Sequence, residues 1–331
     1  MLRKYLDRIG IEAETADVMI GGRKPNESDL GLLLRAHLVS VPFENLSQHV
    51  HPSAEIEMGQ GNTKTTTQIQ EIPITNLPTL DVQETLQKIV IDHRGGFCWE
   101  INFAFGWLLR ELGYSVRLGS ANVLTPDGPI PGHNCLYVDG LREDGVPLHV
   151  DPGFGDAPRA LMPTIQNAKA VVDPMIGDEL FFVPNNKSSE QKFDYQQSAR
   201  HLERFDTVLV RRRKTGGQSS SPMGELGTEE APPAPSEPVD EPMYLLNLDD
   251  DLESDCEEFK HGLAHVLTPN EKNIFSEKRL CVQLRENGFD YIGSSYWKQV
   301  RDGSEVHREK ILDEGAYRET LEKVAGIRLK A

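Results

Sequence analysis

The segment Arg94-Gly95-Gly96-Phe97-Cys98-Trp99-Glu100 places a cysteine after a glycine turn and at the start of a strongly apolar stretch. This stretch runs to Leu112 and stops at Gly113, a residue type that favours the end of a helix, so the pattern predicts a buried helix beginning near Cys98. A helix N-terminus carries about half a positive charge and can lower a thiol pKa from about 8.5 into the range of about 3.5 to 7.5. Cys98 is therefore a candidate nucleophile. The alternative is a small core side chain between two aromatic residues.

The residues before Cys98 also suggest a site. Gly95 and Gly96 are expected to let the backbone turn sharply and approach a substrate. Arg94 is expected to add a positive charge near the thiol.

Two further candidates lie on a predicted β-hairpin. Residues 133–138 and 146–151 form predicted strands, and the connection between them contains two Asp-Gly pairs, which are typical of turns. If Val138 pairs with Val146, one face of the hairpin is apolar and His133 lies opposite Asp151 on the other face. Directly opposite Cβ atoms are roughly 4.5 to 5.5 Å apart. A slip by one residue would exchange the two faces, so the patterning argues against it.

A cysteine, a histidine and an aspartate in this arrangement match the chemistry of nucleophilic catalysis. The imidazole of His133 would take or share the proton of Cys98, while Asp151 would fix the tautomer of the imidazole and stabilise its charged form. Taken singly, His133 could be a surface residue at a strand edge and Asp151 a turn residue. Their joint register with a cysteine at a helix start favours a catalytic triad.

Three segments resemble the signature segments of the arylamine N-acetyltransferases. They are Arg94 to Glu100, Gly132-His133-Asn134, and Asp151-Pro152-Gly153-Phe154-Gly155. The N-terminal segment Val41-Pro42-Phe43-Glu44-Asn45-Leu46, preceded by His37, resembles a further segment of this family. The resemblance covers nearly the whole chain except two insertions.

The resemblance implies a ping-pong enzyme that moves an acyl group from acetyl-CoA, or another acyl-CoA, onto the nitrogen of an arylamine or arylhydrazine. Cys98 would be the acylated nucleophile, His133 its base and Asp151 the orienting residue. The implied fold is α+β, with an N-terminal helical bundle, a central β-barrel and a C-terminal α/β lid around a core like that of cysteine proteases. Family members differ in the acyl group they prefer, so acetyl, propionyl and malonyl donors all stay open, and xenobiotic metabolism is the implied role.

The resemblance also implies contacts with the coenzyme and the acceptor. Gly132 corresponds to a coenzyme A contact in the family, and Phe154 and Gly155 belong to a segment that lines the acyl and acceptor pocket. Phe275 resembles a family residue that packs on the cofactor. Asp156 stands where some animal members have an arginine, so their acceptor preference does not carry over to this chain.

A cysteine peptidase or a transglutaminase-like enzyme is the alternative function. Such enzymes share the Cys-Trp pair and the order of cysteine, histidine and aspartate. Papain-type peptidases, however, place the histidine about 130 to 150 residues after the cysteine, whereas only 35 residues separate Cys98 and His133 here. A non-enzymatic binding module is a third reading, favoured only if the thiol is inert.

The formal charge of −17 is concentrated in one region. Thirteen acidic residues and no basic residue lie between Thr215 and Phe259, so the rest of the chain carries only −4. Because phosphate neutralisation needs a basic face, nucleic acid is not an expected partner. The composition within residues 212–242 predicts a disordered insertion, and a second polar insertion is predicted at about 51–73.

These breaks suggest three regions. Residues 1–90 are predicted to form the helical bundle, with helices at Leu30–Leu38, capped by Ser28 or Asp29, and at Leu80–Val90. Residues 91–206 are predicted to hold the cysteine helix and the barrel that carries the triad. Residues 207–331 are predicted to form the lid, with the acidic insertion, a strand at Leu280–Leu284 and a helix from about Leu312 to Val324.

Other motifs argue against further cofactors. His261 and His265 have the spacing of a zinc helix, but position 262 is a glycine where such a motif needs glutamate, so no metal site is predicted. The basic run Arg211-Arg212-Arg213-Lys214 could meet coenzyme phosphates, although such runs are more often solvated. No phosphate-binding P-loop and no dinucleotide fingerprint occurs.

The chain starts without the apolar core of a signal peptide, and no segment is apolar enough to cross a bilayer. Its four cysteines, at positions 98, 135, 256 and 281, show neither a C-x-x-C pair nor regular spacing. A reducing compartment suits a free thiolate. We therefore expect a cytoplasmic monomer that binds no membrane.

Overall fold

A computed structural model describes residues 1–49, 78–125, 128–185, 204–213, 238–267, 275 and 278–329. Both predicted insertions fall largely outside these residues. The described chain mixes helices with two antiparallel sheets, of eight and five strands. Among the described residues, no helix combines the length and the apolar character needed to cross a bilayer.

The N-terminal region is helical, as the sequence predicts. Its helices are α1 (Leu2–Arg8), α2 (Ala13–Ile20), α3 (Glu27–Ser40) and α4 (Val82–Leu86), which continues as a π-helical segment (Gln87–Ile91). Helix α3 begins earlier than predicted. Its cap is Asn26, whose side-chain oxygen accepts the backbone N–H of Asp29, so the predicted caps Ser28 and Asp29 lie inside the helix.

Helix α5 (Cys98–Glu111) begins at the predicted cysteine and is followed by Leu112 and the left-handed Gly113. Its side chains are buried on almost every side, because it packs against the other N-terminal helices and against the large sheet.

The large sheet is a nearly closed barrel. Its strand order is β5-β4-β3-β2-β9-β8-β7-β6. The strands are β2 (Ser115–Thr125), β3 (Gly128–Asp139), β4 (Leu148–Val150), β5 (Met162–Pro163), β6 (Val171–Val172), β7 (Glu179–Pro184), β8 (Thr207–Arg212) and β9 (Asp240–Leu246). An isolated bridge between Gln166 and Phe182 brings the chain after β5 against β7, which nearly joins the two edges.

The predicted hairpin forms, but its register differs by two residues. Leu136 pairs with Val150 and Val138 with Leu148, whereas the sequence pattern suggested Val138 with Val146. A shift of two residues keeps every side chain on its predicted face, since the side-chain period of a strand is two. The apolar pattern therefore determined the face and left the register open. Asp151 consequently lies just beyond β4 and diagonally across from His133.

The small sheet has the order β1-β10-β11-β12-β13. Its strands are β1 (Phe43–Glu44), β10 (Leu280–Arg285), β11 (Gly288–Gly293), β12 (Tyr296–Arg301) and β13 (Ser304–Lys310). The C-terminal helix α7 (Glu314–Ala325) packs against β10 and β11. Since β1 pairs with β10, the N-terminal region is joined directly to the C-terminal sheet.

The predicted boundary at residue 206 cuts through the barrel. Strands β8 and β9 follow this boundary, yet they pair with β7 and β2 in the large sheet. The pairing of Ala121 with Leu246 joins segments far apart in the chain, which a local pattern does not reveal. Strand β9 also starts at Asp240, inside the predicted insertion 212–242, and helix α6 (Glu257–Leu267) follows it.

Candidate active site

Cys98 is the first residue of α5 and is almost completely buried. The start of this helix is fixed by Glu100, whose carboxylate accepts the backbone N–H of Phe97 at 2.9 Å. The backbone N–H groups of the first helical turn have no carbonyl partner one turn earlier, so they point toward the thiol end of the helix. Cys98 therefore lies where the helix presents partial positive charge.

A buried set of charges supports the turn before Cys98. Arg94 binds the Glu44 carboxylate, with Nη2 to Oε1 at 2.8 Å, and Lys88 binds the Glu100 carboxylate at 2.9 Å. Burial raises the pKa of Glu44, but the charges of Arg94 and Lys88 outweigh burial and hold it below its ordinary value. At Glu100 burial prevails and the pKa is raised. Arg94, which the sequence suggested as a positive charge near the thiol, has its guanidinium paired with the Glu44 carboxylate.

The two glycines serve packing inside the protein. A Cβ on Gly95 would lie 1.9 Å from the carbonyl oxygen of Pro42, and one on Gly96 would lie 2.8 Å from the Glu100 side chain. Only glycine allows this close approach, so the glycine pair fixes where α5 begins. Position 95 requires glycine because the backbone of Pro42 approaches it closely. The sequence had suggested instead that a substrate approaches this residue.

His133 and Asp151 form the central hydrogen bond of the site. The distance between His133 Nε2 and Asp151 Oδ2 is 2.7 Å, and both side chains are buried. Burial acts to lower the pKa of His133, but the charge and hydrogen bond of Asp151 dominate and raise it from 6.5 to about 10. Burial acts to raise the pKa of Asp151, but the interaction with His133 outweighs it and lowers the pKa. The imidazole is therefore stabilised in its charged form.

The structure also brings Cys98 into hydrogen-bonding contact with His133. Because Nε2 of the imidazole faces Asp151, the nitrogen left for the thiol is Nδ1. The three predicted residues thus form one chain of contacts from thiol to imidazole to carboxylate. This arrangement can hold a thiolate beside an imidazolium.

Asn102 completes the support of Asp151, and the sequence analysis missed it. It lies one turn after Cys98 on α5 and donates from Nδ2 to Asp151 Oδ1 at 2.9 Å. The same nitrogen contacts the carbonyl oxygen of Asn134 at 2.7 Å, and Asn102 Oδ1 accepts the N–H of Gly153 at 3.1 Å. The spacing of four residues from Cys98 places both side chains on one helix face, which was a usable signal.

Tyr244, on β9, was missed as well. Its ring lies 5.3 Å from that of His133 and 5.4 Å from that of Phe154, and its hydroxyl group hydrogen-bonds to Asp151. Burial raises its pKa well above the ordinary value. No sequence signal connected this residue with the triad, because β9 enters the barrel only after a long excursion of the chain.

The predicted binding residues lie at different places around the triad. Phe154 packs edge-on against His133, with ring centroids 5.6 Å apart, and Gly155 follows it. The ring of Phe275 lies 5.2 Å from that of Phe97, the residue before the nucleophile. Gly132, next to His133, has a positive φ, and a Cβ on it would lie 2.1 Å from Cα of Gly262 on α6. Its lack of a side chain is therefore explained by the crossing of α6 over β3.

The same contact accounts for position 262 between His261 and His265. A Cβ on Gly262 would lie 2.4 Å from Cα of Gly132, so a glutamate of the zinc-helix type does not fit there. Among the described residues, no group of histidine, cysteine, aspartate or glutamate side chains could hold a metal ion.

The arginines of the basic run are engaged within the barrel. Arg211 forms a buried ion pair with Asp156, Arg212 binds Asp240 at 2.7 Å, and Arg213 binds Glu241 at 2.8 Å. Lys214 lies outside the described residues. Each of the three guanidinium groups therefore already has a carboxylate partner.

The other thiols differ from Cys98 in their surroundings. Cys135 and Cys281 are fully buried, and burial raises the pKa of both. Cys256 is partly exposed, with a pKa also raised by burial. Burial thus disfavours the thiolate form at all three positions.

Comparisons with known proteins identify the family of this chain. The family model described as N-acetyltransferase matches residues 28–331, and curated relatives that match the chain are arylamine N-acetyltransferases. The chain belongs to the arylamine N-acetyltransferase family. The enzyme of that name from Mycolicibacterium smegmatis is 32% identical over 158 residues, which cover 46% of this chain and 45% of the relative. The chain thus spans about half the length of the curated relatives it matches.

Solved structures of arylamine N-acetyltransferases share the fold. That of Mycobacterium marinum in complex with CoA has a TM-score of 0.65 at 20% identity and covers 99% of this chain and 93% of its own. That of Bacillus cereus, described as having a Cys-His-Glu catalytic triad, has a TM-score of 0.65 at 17% identity and covers 99% and 98%. At these identities the likeness establishes the α+β fold with its barrel.

Proposed function

We propose that this chain is an acyl-CoA-dependent arylamine N-acyltransferase that works through an acyl-cysteine. One observation carries the proposal: Cys98, at a helix start, contacts His133, whose other ring nitrogen is held by the buried Asp151. A thiolate paired with an imidazolium is the nucleophile needed to attack a thioester. Membership of the family supplies the class of donor and acceptor.

In the first half-reaction, the Cys98 sulfur attacks the carbonyl carbon of the acyl-CoA. The carbon–sulfur bond to coenzyme A then breaks, and the leaving coenzyme thiolate takes the proton that His133 carries. The developing oxyanion needs hydrogen-bond donors, and the backbone N–H groups at the start of α5 are the donors nearest to Cys98 in the chain. The product is free coenzyme A and an acyl-enzyme.

In the second half-reaction, the amine nitrogen attacks the acyl carbon. Neutral His133 accepts the proton that the nitrogen loses, and Cys98 leaves as the thiolate. Asp151 supports this step because its charge favours the imidazolium that forms, and Asn102 holds the carboxylate in place. The pair is then ready for the next acyl group.

We assign the substrate pocket to the residues that flank the triad. Phe154, beside His133, supplies an apolar wall suited to an aromatic amine, and the buried Gly155 follows it in the chain. Phe275, beside Phe97, is proposed to pack on the coenzyme. Gly132 is also proposed to contact the coenzyme, next to the point where α6 crosses β3.

We also propose that the protein acts as a cytoplasmic monomer in xenobiotic metabolism. All four cysteines are free thiols, which suits a reducing compartment.

Steady-state kinetics test the proposal. Purified protein is mixed with an arylamine and acetyl-, propionyl- or malonyl-CoA, and release of the coenzyme thiol is recorded. We expect amine-dependent release with at least one donor and parallel double-reciprocal plots, as a ping-pong mechanism requires. Cys98→Ser should be inactive, whereas the matched control Cys256→Ser should keep activity. Cleavage of casein without any thiol release would instead identify the cysteine peptidase alternative.

A further inference from the structure

His149 is a buried histidine that the proposed mechanism does not use. It lies at the centre of β4, two residues before Asp151, and pairs across the sheet with Tyr137 and with Met162. Burial lowers its pKa from 6.5 to about 4, while the charge of Asp151 opposes and that of His133 adds to this effect. His149 is therefore neutral at physiological pH.

The surroundings of His149 are mainly aromatic. The rings of Phe182, on β7, and of Tyr137 and Tyr244 lie 5.6, 5.8 and 6.0 Å from its own. Its Nε2 contacts the Tyr244 hydroxyl at 3.0 Å, whereas its buried Nδ1 has no hydrogen-bond partner. The titratable groups that face it are Tyr137, Tyr244, Asp151 and His133.

The direction of these hydrogen bonds follows from the number of protons that the groups carry. The Tyr244 hydroxyl has one proton and contacts both Asp151 and His149. An ionised carboxylate can only accept, so Tyr244 donates to Asp151 and its oxygen accepts the Nε2–H of His149. The remaining nitrogen, Nδ1, then carries a lone pair, and a buried acceptor without a partner is tolerated more readily than a buried N–H.

We propose that His149 is a positioning residue, which holds and polarises the Tyr244 hydroxyl so that it donates to Asp151 and sets the pH range in which Cys98 and His133 exist as an ion pair. This inference rests on the proposed role of the triad. Donation from His149 makes the Tyr244 O–H a stronger donor, because linked hydrogen bonds polarise one another. A stronger donor draws negative charge away from the carboxylate.

The sign of the effect follows from electrostatics. Loss of the His149 N–H weakens donation by Tyr244 and leaves more negative charge on Asp151. A more negative potential binds protons more tightly at both neighbours, His133 and Cys98. The pH profile of thiol reactivity has a lower and an upper limb, and both report on the coupled pair of Cys98 and His133. Both limbs should therefore move to higher pH.

The experiment is a pH titration of Cys98 alkylation by iodoacetamide, followed by peptide mapping. In His149→Leu we expect both limbs to move up by about half a pH unit, so that alkylation well below the lower midpoint slows about threefold. His149→Gln can place an amide N–H near the position of Nε2 and should restore the wild-type limbs. Thermal unfolding of each variant separates this shift from a loss of packing, which would lower the Tm and leave the limbs in place.

A double-mutant cycle tests whether the effect passes through Tyr244. Tyr244→Phe, which removes a single oxygen, should shift the limbs upward, and His149→Leu added to it should give no further shift. This variant also serves if His149→Leu does not fold. Unchanged limbs in both single variants, or an additive shift in the double variant, would overturn the inference.

The titration uses no acyl donor, so its failure is distinct from that of the proposed function. If wild-type Cys98 is not alkylated selectively at mildly acidic pH, the nucleophile assignment fails and this inference fails with it. If wild-type Cys98 is selective and the variants leave the limbs unchanged, only the role of His149 fails.

Discussion

Asp151→Asn is the substitution that tests the triad most sharply. In the wild type the carboxylate accepts hydrogen bonds from His133, from Asn102 and from Tyr244. An amide has one oxygen and one NH2 group, so in either orientation its NH2 meets a group that was a donor. If the NH2 faces His133, Nε2 must become an acceptor, and the proton moves to Nδ1. The imidazole then presents N–H to Cys98 and cannot act as its base.

The size of the effect follows from the pKa of His133. Asp151 raises this pKa from 6.5 to about 10 against the opposing effect of burial. A shift of this size corresponds to about 5 kcal/mol in favour of the imidazolium. Removing the charge and the tautomer together should lower kcat by about 10³- to 10⁴-fold, the range typical of a triad that has lost its carboxylate.

Single-turnover acylation and steady-state rates of the purified variant measure this loss. Asp144→Asn is the matched control, because Asp144 lies exposed on the turn of the same hairpin and should tolerate the change with full activity. Circular dichroism should show a preserved fold in both variants. Activity of Asp151→Asn within tenfold of wild type would refute the reasoning, since it would mean that the hydrogen bond between Asp151 and His133 does not set the state of the base.

Three further predictions follow from the packing, the topology and the buried histidines. Gly262→Ala forces a Cβ to 2.4 Å from the backbone of β3 and should lower the free energy of unfolding by about 1–3 kcal/mol, which a lower Tm would show. The control Gly31→Ala should keep the wild-type Tm, because the nearest contact of its Cβ is the flexible end of an arginine at 3.3 Å. Replacing residues 216–237 by a short Gly/Ser linker should change the free energy of unfolding by about 1 kcal/mol or less, because the strands on either side are paired neighbours; loss of folding would contradict this. Burial lowers the pKa values of His37 and His149 to about 3 and about 4, so the contribution of each neutral histidine to the free energy of unfolding is complete above pH 6.5 and should fall by about 3 kcal/mol by pH 4. Urea titrations should show a smaller fall in stability between these pH values for His37→Gln than for the wild type. An equal fall would refute the assignment.

Local patterns were enough to predict the parts of the site that depend on neighbouring residues. The start of α5 at Cys98 follows from a glycine pair, an apolar run and a terminal glycine, all within one segment. The alternation of apolar and polar residues predicts the two faces of the hairpin, and a register shift of two residues does not change these faces. His133 and Asp151 therefore meet as predicted, although their register was wrong.

The remaining parts depend on contacts between distant segments. Tyr244 reaches Asp151 only because β9 joins β2 in the barrel, after a connection of more than a hundred residues. The sequence suggested that Arg94 lies near the thiol and that Gly95 approaches the substrate. Their partners in the structure, Glu44 and Pro42, come from a distant segment that the local pattern does not reveal. Asn102 is the exception, since its spacing from Cys98 was visible in the sequence.

Intact-protein mass spectrometry after mixing with acetyl-CoA, with no amine present, is the most direct test of the proposed activity. We expect a mass increase of one acetyl group, which peptide mapping should locate on Cys98. The increase should be absent in Cys98→Ser and should be removed when an arylamine is added. An acetyl group on another cysteine, or no mass increase with any acyl-CoA from a folded protein whose Cys98 is alkylated selectively, would contradict the proposed activity.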